Sequence, residues 1–252
     1  MGGRLDGRAV VVTGVSRRIG IGFAITRRLL VEGADVLAHA YRRHDEEQPW
    51  GADPAGPDGV RGALLADLPA GSGRLAHIEA DFEDPAAPDS VIAAAWHAFG
   101  QVDAIVANHA RSSMQSLSQL TAAELDRSFA VNVRATLLLI KAFAARHSAA
   151  SGRVVLFTSG QHLEPMPAEL PYIATKGALQ QLTGSLAAEL RNRGITVNCI
   201  NPGATDTGYA PGAPGIWGRP DDAGRLVAWL LSEDGRWVTG QTIVSDGGGH
   251  LG

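Results

Sequence analysis

Residues 8–22 read RAVVVTGVSRRIGIG, a short β-branched run that passes through a glycine-rich turn into a helical stretch. Glycines at such a junction let the backbone turn sharply and approach a pyrophosphate, while the amides of the following helix face its negative charge. The same turn is also compatible with an ordinary strand-to-helix connection. The alternation of short apolar runs and helical stretches along the rest of the chain favours a dinucleotide-binding turn.

The composition excludes several classes of protein. The chain has 252 residues, 45% of them hydrophobic, and a net charge of −4, so no basic field attracts nucleic acid or anionic lipid. Cys199 is the only cysteine, which excludes an internal disulfide and fits a reducing compartment. No uninterrupted apolar run approaches the ~18 residues of a membrane span. We predict a cytoplasmic protein without a membrane or nucleic-acid partner.

The apolar runs are short and continuous, as in parallel strands that are buried on both faces. Because these runs alternate with helical stretches, right-handed crossovers and a doubly wound sheet are expected. We predict an α/β fold, a Rossmann-like doubly wound parallel sheet of about seven strands with helices on both faces. A single domain is expected over residues 1–252.

Two long helices are predicted, at residues 121–147 and 171–193. Thr121 is expected to cap the first, with Glu124 completing a capping box, and Gly194 is expected to end the second. Both helices carry more apolar surface than one sheet face can cover, so we expect a homodimer or homotetramer.

The pair Tyr172 and Lys176 lies four residues apart, and Ser159 lies thirteen residues upstream. The chain has only two lysines against 20 arginines, which indicates that Lys176 serves a purpose arginine cannot. On a helix these two side chains share a face, so the ammonium is expected to lower the phenol pKa from about 10. For the pair alone, a chance surface pairing is the simpler explanation.

The glycine turn, Asn132, Ser159 and the Tyr172–Lys176 pair follow one another in an order that resembles the short-chain dehydrogenase/reductase family. The resemblance covers essentially the whole chain, and within the family the chain is similar to 3-oxoacyl-acyl-carrier-protein reductases. It implies that Tyr172 donates a proton to a carbonyl oxygen, which Ser159 polarises, while a nicotinamide delivers hydride. It also implies that Lys176 holds the nicotinamide ribose and that Asn132 positions a proton-supplying water chain.

The residues expected near the adenosine ribose of the cofactor favour NADPH over NADH. An NAD-preferring site usually has a carboxylate at the end of the second strand. Here the strand ends near Ala40 without one, Arg42 follows, and Arg17 and Arg18 lie in the glycine turn. We predict that Arg42 and one turn arginine contact the 2′-phosphate, although some of these arginines are also compatible with simple solvation. The predicted cofactor-binding residues are Gly14, Ser16, Arg17, Arg18, Gly20, Ile21, Arg42, Asp81, Phe82, Asn108, Tyr172, Lys176, Pro202, Gly203, Thr205 and Thr207.

The chain departs from the family pattern in four places, and the fourth is a short substrate loop. The glycine turn is two residues longer than usual, as in enoyl-acyl-carrier reductases, but those enzymes separate Tyr and Lys by seven residues and not four. His109 stands where the family has alanine, and its role is open. The stretch 44–51 either covers the adenosine end of the cofactor or contacts a neighbouring subunit. The spacing of four favours reduction of C=O over C=C.

The expected substrate loop, at about residues 205–219, is short and rich in Pro, Gly and Ala. It implies an open site for a bulky or carrier-tethered ketone, or a lid that orders on binding. No metal is expected. The predicted substrate residues are His109, Gln161, His162, Tyr209 and Trp217.

The predicted function is NADPH-dependent reduction of a ketone to a secondary alcohol. One alternative is an alcohol dehydrogenase that uses NAD(P)+ in the oxidative direction. Another is a non-catalytic nucleotide sensor on the same fold, which would have no need of a proton relay. The identity of the ketone is open.

Overall fold

The computed structural model describes residues 3–149, 151–209 and 215–251. Within these ranges, seven strands form one parallel sheet in the order β3-β2-β1-β4-β5-β6-β7. The strands are β1 (Ala9–Thr13), β2 (Asp35–Ala40), β3 (Leu75–Glu79), β4 (Ala104–Ala107), β5 (Gly152–Phe157), β6 (Ile195–Asn201) and β7 (Thr242–Val244). The predicted Rossmann-like doubly wound sheet is confirmed, whereas the single domain over 1–252 stays a prediction.

Helices cover both faces of the sheet. They are α1 (Ile21–Val31), α2 (Arg42–Glu46), α3 (Gly56–Leu65), α4 (Ala87–Phe99), α5 (Ala122–Phe129), α6 (Ala135–Arg146), α7 (Leu170–Leu190) and α8 (Pro220–Leu231). Helices α1 and α8 pack together on one face, and α4 and α6 pack together on the other. Strands β1, β4 and β5 are buried along their whole length, which explains their continuous apolar runs.

The predicted helix 121–147 is interrupted by a π-helical turn at Ala130–Arg134. Thr121 caps α5 as expected, since its Oγ1 accepts a hydrogen bond from Glu124 N at 3.2 Å. The capping box is wrong, because the Glu124 carboxylate accepts two 2.8 Å hydrogen bonds from Arg111. A charge-assisted bidentate pair is stronger than a bond to a backbone amide, and the Thr121 amide donates instead to Gln115 Oε1 at 3.2 Å.

Among the described residues, one helical run, Ala122–Arg146, has the length and apolar composition of a membrane span. Half of its most apolar window is buried inside the molecule, as in the core helix of a globular protein. Cytoplasmic location and assembly into dimers or tetramers stay predictions.

Candidate active site

A cleft of about 610 Å³ lies at the carboxyl edge of the sheet, where the loops after the parallel strands meet. Most of the predicted cofactor residues line it. These are Gly14, Ser16, Arg17, Gly20, Ile21, Asp81, Phe82, Asn108, Tyr172, Pro202, Gly203, Thr205 and Thr207.

The glycine turn is held tightly against the loop after β4. Gly14 has a φ of 77°, and a Cβ there would lie 2.9 Å from the Cα of His109, so only glycine is compatible with this position. The side-chain amide of Asn108 donates to the carbonyls of Thr13 and Gly14 at 3.1 and 3.2 Å. No described side chain caps α1 at Gly20, so its first amides are available to an anion.

The opposite end of the cleft is formed by the turn after β6. Gly203 has a φ of 66°, and a Cβ there would lie 2.4 Å from Cβ of Asp246. Asn201 Oδ1 accepts a hydrogen bond from the Gly203 amide at 3.0 Å, whereas Asn201 Nδ2 is buried and has no partner among the described residues. This unpaired donor at the cleft wall and the uncapped helix start fit a dinucleotide, which carries acceptors at both ends.

Ser159 and Tyr172 line the same cleft, and Lys176 lies beneath it. Ser159 follows β5, and Tyr172 lies in the first turn of α7. Lys176 is 2% exposed, its Nζ donates to the carbonyl of Phe157 at 3.0 Å, and it lies 5.6 Å from the Tyr172 ring centroid. The ammonium is therefore packed beside the phenol, as the spacing of four predicts.

The pKa of Tyr172 differs from the value that the sequence predicts. Burial raises the pKa of Tyr172 to about 12, and the hydrogen bond with Ser159 opposes that rise. Burial lowers the pKa of Lys176 to about 8. The net shift of the Tyr172 pKa is therefore upward and not downward as predicted, because desolvation of the phenol outweighs the groups that favour its phenolate.

Asn132 is fully buried within the π turn. Its Oδ1 accepts from the Arg111 amide at 2.6 Å, and its Nδ2 donates to the Arg111 carbonyl at 3.0 Å and to Thr175 Oγ1 at 2.8 Å. Thr175 Oγ1 in turn donates to the carbonyl of Tyr172 at 2.7 Å. Asn132 therefore joins the loop after β4 to the N-terminal part of α7 through Thr175, and the water chain stays a prediction.

Replacing Asn132 with alanine is expected to lower the free energy of unfolding by about 2–4 kcal/mol, because it leaves buried polar groups of Arg111 unpaired and opens a cavity. Urea denaturation measures this change. Asp126→Ala, on the exposed side of α5, is the matched control and is expected to change stability by less than about 0.5 kcal/mol. Equal stability of the two variants would show that the bonds of Asn132 do not hold this region together.

His109 has both ring nitrogens engaged inside the fold. Nδ1 lies 2.7 Å from Thr13 Oγ1, and Nε2 lies 3.0 Å from the carbonyl of Val131. Burial lowers its pKa to about 3, so the ring is neutral. The network assigns the proton to Nε2, which donates to Val131, while Nδ1 accepts from the Thr13 hydroxyl. His109 lines the cleft, but its polar atoms connect β1 to the π turn.

Two predicted phosphate ligands do not line the cleft. Arg18 forms an ion pair with Asp53 at 3.0 Å, and Arg42 forms one with Glu46, also at 3.0 Å. Arg17 does line the cleft, and its guanidinium donates to the carbonyl of Thr207 at 3.0 Å.

Some of the predicted substrate residues line the cleft and others do not. His109, Tyr209 and Trp217 line the cleft. Gln161 instead accepts from the Ser159 amide at 3.1 Å and so supports the serine loop, and His162 is exposed outside the cleft lining. The part of the expected lid at residues 210–214 lies outside the described residues.

Sequence reasoning missed the residues that cover the cleft from the segment after β2. Asp45 accepts hydrogen bonds from Ser16 Oγ at 2.5 Å and from Trp50 Nε1 at 3.0 Å. The Trp50 ring lies 4.9 Å from the ring of Tyr209. The stretch 44–51 thus contacts the glycine turn and Tyr209 across the cleft, and its expected role at the adenosine end or at a neighbouring subunit stays a prediction. The only signal in the sequence was the unusual length of this segment.

At the substrate side, Tyr209 donates to a carboxylate oxygen of Glu169 at 2.7 Å. Both residues line the cleft near Tyr172. Glu169 was not predicted, because an acidic residue ahead of a helix has no distinctive pattern.

The side chains that line the cleft are typical of an oxidoreductase that uses a nicotinamide dinucleotide, and comparisons with known proteins agree. A family model described as enoyl-(acyl carrier protein) reductase matches residues 14–250. The uncharacterized oxidoreductase YjdA of Bacillus subtilis is 35% identical over 254 residues, which cover 96% of each chain. The chain belongs to the short-chain dehydrogenase/reductase family, and the resemblance predicted from the motifs is confirmed.

Solved structures of the family superpose on the chain over nearly its full length. A short chain dehydrogenase from Burkholderia cenocepacia J2315 in complex with NADP has a TM-score of 0.83 and 32% identity, covering 99% of this chain and 100% of that one. The angucycline C-6 ketoreductase LanV with bound NADP has a TM-score of 0.84 and 28% identity, covering 100% of this chain and 99% of that one. The chain is an NAD(P)-dependent oxidoreductase.

Proposed function

We propose that this enzyme reduces a ketone to a secondary alcohol with NADPH. The observation that carries the proposal is the placement of Ser159 and Tyr172 on one wall of the cleft, with Lys176 buried beneath them. A hydroxyl that polarises a carbonyl and a phenol that donates to it are the two groups that carbonyl reduction needs from the protein.

The expected mechanism uses Tyr172 as the general acid. Its pKa is raised by burial to about 12, so the phenol carries a proton at neutral pH. Bound NADPH supplies the hydride. Tyr172 gives its proton to the carbonyl oxygen, Ser159 holds that oxygen, and Lys176 stabilises the phenolate that remains.

The preference for NADP(H) is supported by the NADP-bound relatives and by the presence of Arg17, a glycine-turn cation, in the cleft lining. We expect Ser16 and Arg17 to contact the 2′-phosphate. The name of the matching family model points to C=C reduction, whereas the spacing of four between Tyr172 and Lys176 supports C=O reduction.

The test is NADPH oxidation over a panel of substrates that includes β-ketoacyl thioesters, aromatic polycyclic ketones and sugar ketones, with a 2-enoyl thioester as the C=C arm. Turnover of at least one ketone and none of the enoyl thioester is expected. Turnover of the enoyl thioester alone would contradict carbonyl reduction. Faster oxidation of the matching alcohols with NADP+ at neutral pH would contradict the proposed direction.

A further inference from the structure

Glu169 places a carboxylate in the cleft close to the phenol of Tyr172. It immediately precedes α7, and Tyr172 follows in the first turn of that helix. Its Oε2 accepts a 2.7 Å hydrogen bond from the Tyr209 hydroxyl, and all three residues line the cleft. Burial is the main cause of the raised pKa of Tyr172, and the negative charge of Glu169 adds to it. The carboxylate therefore lies within electrostatic range of the group that is expected to protonate the ketone.

The fold itself makes little use of this carboxylate. The Glu169 side chain caps no amide of α7. Among the described residues it forms no ion pair, and its second oxygen, Oε1, accepts no hydrogen bond. The residue is half-buried, so this oxygen is a partly desolvated acceptor in the lining of the cleft. Such an acceptor favours a ligand that donates a hydrogen bond.

The loop before α7 and the substrate loop contribute two carboxylates and no cation to the described cleft lining. In the loop at residues 158–169, both Glu164 and Glu169 line the cleft. In the substrate loop, Arg219 is exposed and lies outside the cleft lining. The undescribed residues 210–214 carry no charged side chain. These two loops therefore offer nothing that would neutralise an anionic substrate.

The loop after β4 does not supply an available cation either. Arg111 lines the cleft, but its guanidinium donates two 2.8 Å hydrogen bonds to the Glu124 carboxylate. An anionic ketone next to Tyr172 would meet carboxylates and an arginine that is already paired. Like charges brought together at a binding site disfavour the wrong ligand.

Apolar side chains make up much of the remaining lining. Leu163, Met166 and Ile216 line the cleft, and Leu163 is 37% and Ile216 59% exposed. The ring of Trp50 lies 4.9 Å from the ring of Tyr209. Exposed apolar and aromatic side chains in a cleft are typical of a site for a ligand with an apolar body.

We propose that Glu169 is a specificity-determining residue that selects an uncharged ketone with a bulky apolar body and a hydroxyl group, and that excludes anionic ketones. The substrate hydroxyl donates to Oε1, which has no partner among the described residues. A site that is built to bind a hydroxyl discriminates strongly against analogues without it, and the repulsion of anions adds a second selection. The inference rests on the proposed ketone reduction and narrows its substrate class.

The experiment uses three ketones with the same bicyclic body: 6-hydroxy-, 6-methoxy- and 6-carboxy-1-tetralone. The methoxyl keeps the oxygen and removes the donor, and the carboxylate adds a negative charge. Calorimetric titration into the enzyme saturated with NADP+ measures the three dissociation constants. Because no reduction takes place in that complex, binding is measured even for a ketone that is not turned over. NADPH oxidation with the same ketones measures kcat/KM.

Two substitutions separate the charge of Glu169 from its role as an acceptor. Glu169→Gln removes the charge and keeps an acceptor for the Tyr209 hydroxyl, whereas Glu169→Ala removes both. Glu189→Gln, which removes a charge from an exposed position on the same helix, is the matched control. Thermal melting checks that each variant is folded.

We expect the wild type to bind the hydroxy ketone about tenfold more tightly than either the methoxy or the carboxy ketone, because hydrogen bonds to charged groups are strong and like charges repel. In Glu169→Ala the preference for hydroxyl over methoxyl is expected to fall below about twofold. Both Glu169 variants are expected to bind the carboxy ketone about tenfold more tightly than the wild type does. Glu189→Gln is expected to leave all three dissociation constants within about twofold of the wild type.

Three results would overturn the inference. One is a preference for the hydroxy ketone that persists in Glu169→Ala. Another is an equal gain in affinity for the carboxy ketone in Glu189→Gln and Glu169→Gln, since net charge alone would then explain it. The third is a wild type that binds the hydroxy ketone no more tightly than the carboxy ketone.

Failure of the proposed ketone reduction has a different signature. In that case the dissociation constants follow the expected order, but NADPH is not oxidised with any ketone, and the role of Glu169 in selection stands. If instead the three ketones are reduced with equal kcat/KM by the wild type and by Glu169→Ala, ketone reduction stands and the role of Glu169 is refuted.

Discussion

Tyr172→Phe is expected to lower kcat/KM for the best ketone by about 10³-fold, since proton donation by a positioned acid contributes between about 10² and 10⁴. The substitution keeps the ring and its packing and removes only the hydroxyl. The dissociation constant of NADPH is expected to stay within about twofold, because Ser16, Arg17 and the glycine turn are untouched. Steady-state kinetics and fluorescence titration measure the two quantities.

Tyr209→Phe is the comparison variant, because it removes a phenol from the same cleft. The Tyr209 hydroxyl is bonded to Glu169 at 2.7 Å, so its loss is expected to change KM more than kcat. If Tyr172→Phe turned over ketones at the wild-type rate, the assignment of Tyr172 as general acid would be wrong. If the two variants lost kcat equally, the catalytic proton would not come from Tyr172 specifically.

Lys176→Met is expected to lower kcat by about 10²-fold, because a preorganised charge next to a developing phenolate is lost. Lys176→Arg is not expected to restore it. The ammonium is fully enclosed and bonded to the Phe157 carbonyl at 3.0 Å, and a planar guanidinium needs more space and a different donor geometry. Lys141→Met is the control, since Lys141 is the other lysine and is exposed on α6.

The pKa of Lys176 leads us to expect that the rate of ketone reduction depends on pH. Burial lowers the pKa of Lys176 to about 8. Below that pH the ammonium is charged and stabilises the phenolate, and above it the charge and the stabilisation are lost. The rate of ketone reduction is therefore expected to fall as pH rises through about 8, and this limb is expected to be absent in Lys176→Met. A wild-type limb that persisted unchanged in Lys176→Met would assign the titration to another group.

Most of the fold could be predicted because its signals are local. Strand β1, the glycine turn and α1 follow one another within residues 9–31, and their apolar runs and glycines are visible without any knowledge of neighbours. The π turn could not be predicted, because it is held by bonds from Asn132 to Arg111 and Thr175, which lie 21 and 43 residues away. A helical pattern of hydrophobic residues is the same with or without such a turn.

The charges of the site were the least predictable part. Arg17, Arg18 and Arg42 read as free cations in the sequence, but carboxylates from residues 45–53 pair with each of them in the fold. Ion pairing depends on distances of a few ångströms, and these are set by how the segment after β2 crosses the cleft.

The sequence by itself determined the family, the order of the strands along the chain and the set Ser159, Tyr172 and Lys176, because spacing and periodicity are properties of neighbours in the chain. Only the tertiary structure decided that Lys176 is buried beside Tyr172 and that Asp45 faces Ser16. Burial and pairing between distant residues set a pKa and the charge of a site, and both exist only once the chain has folded.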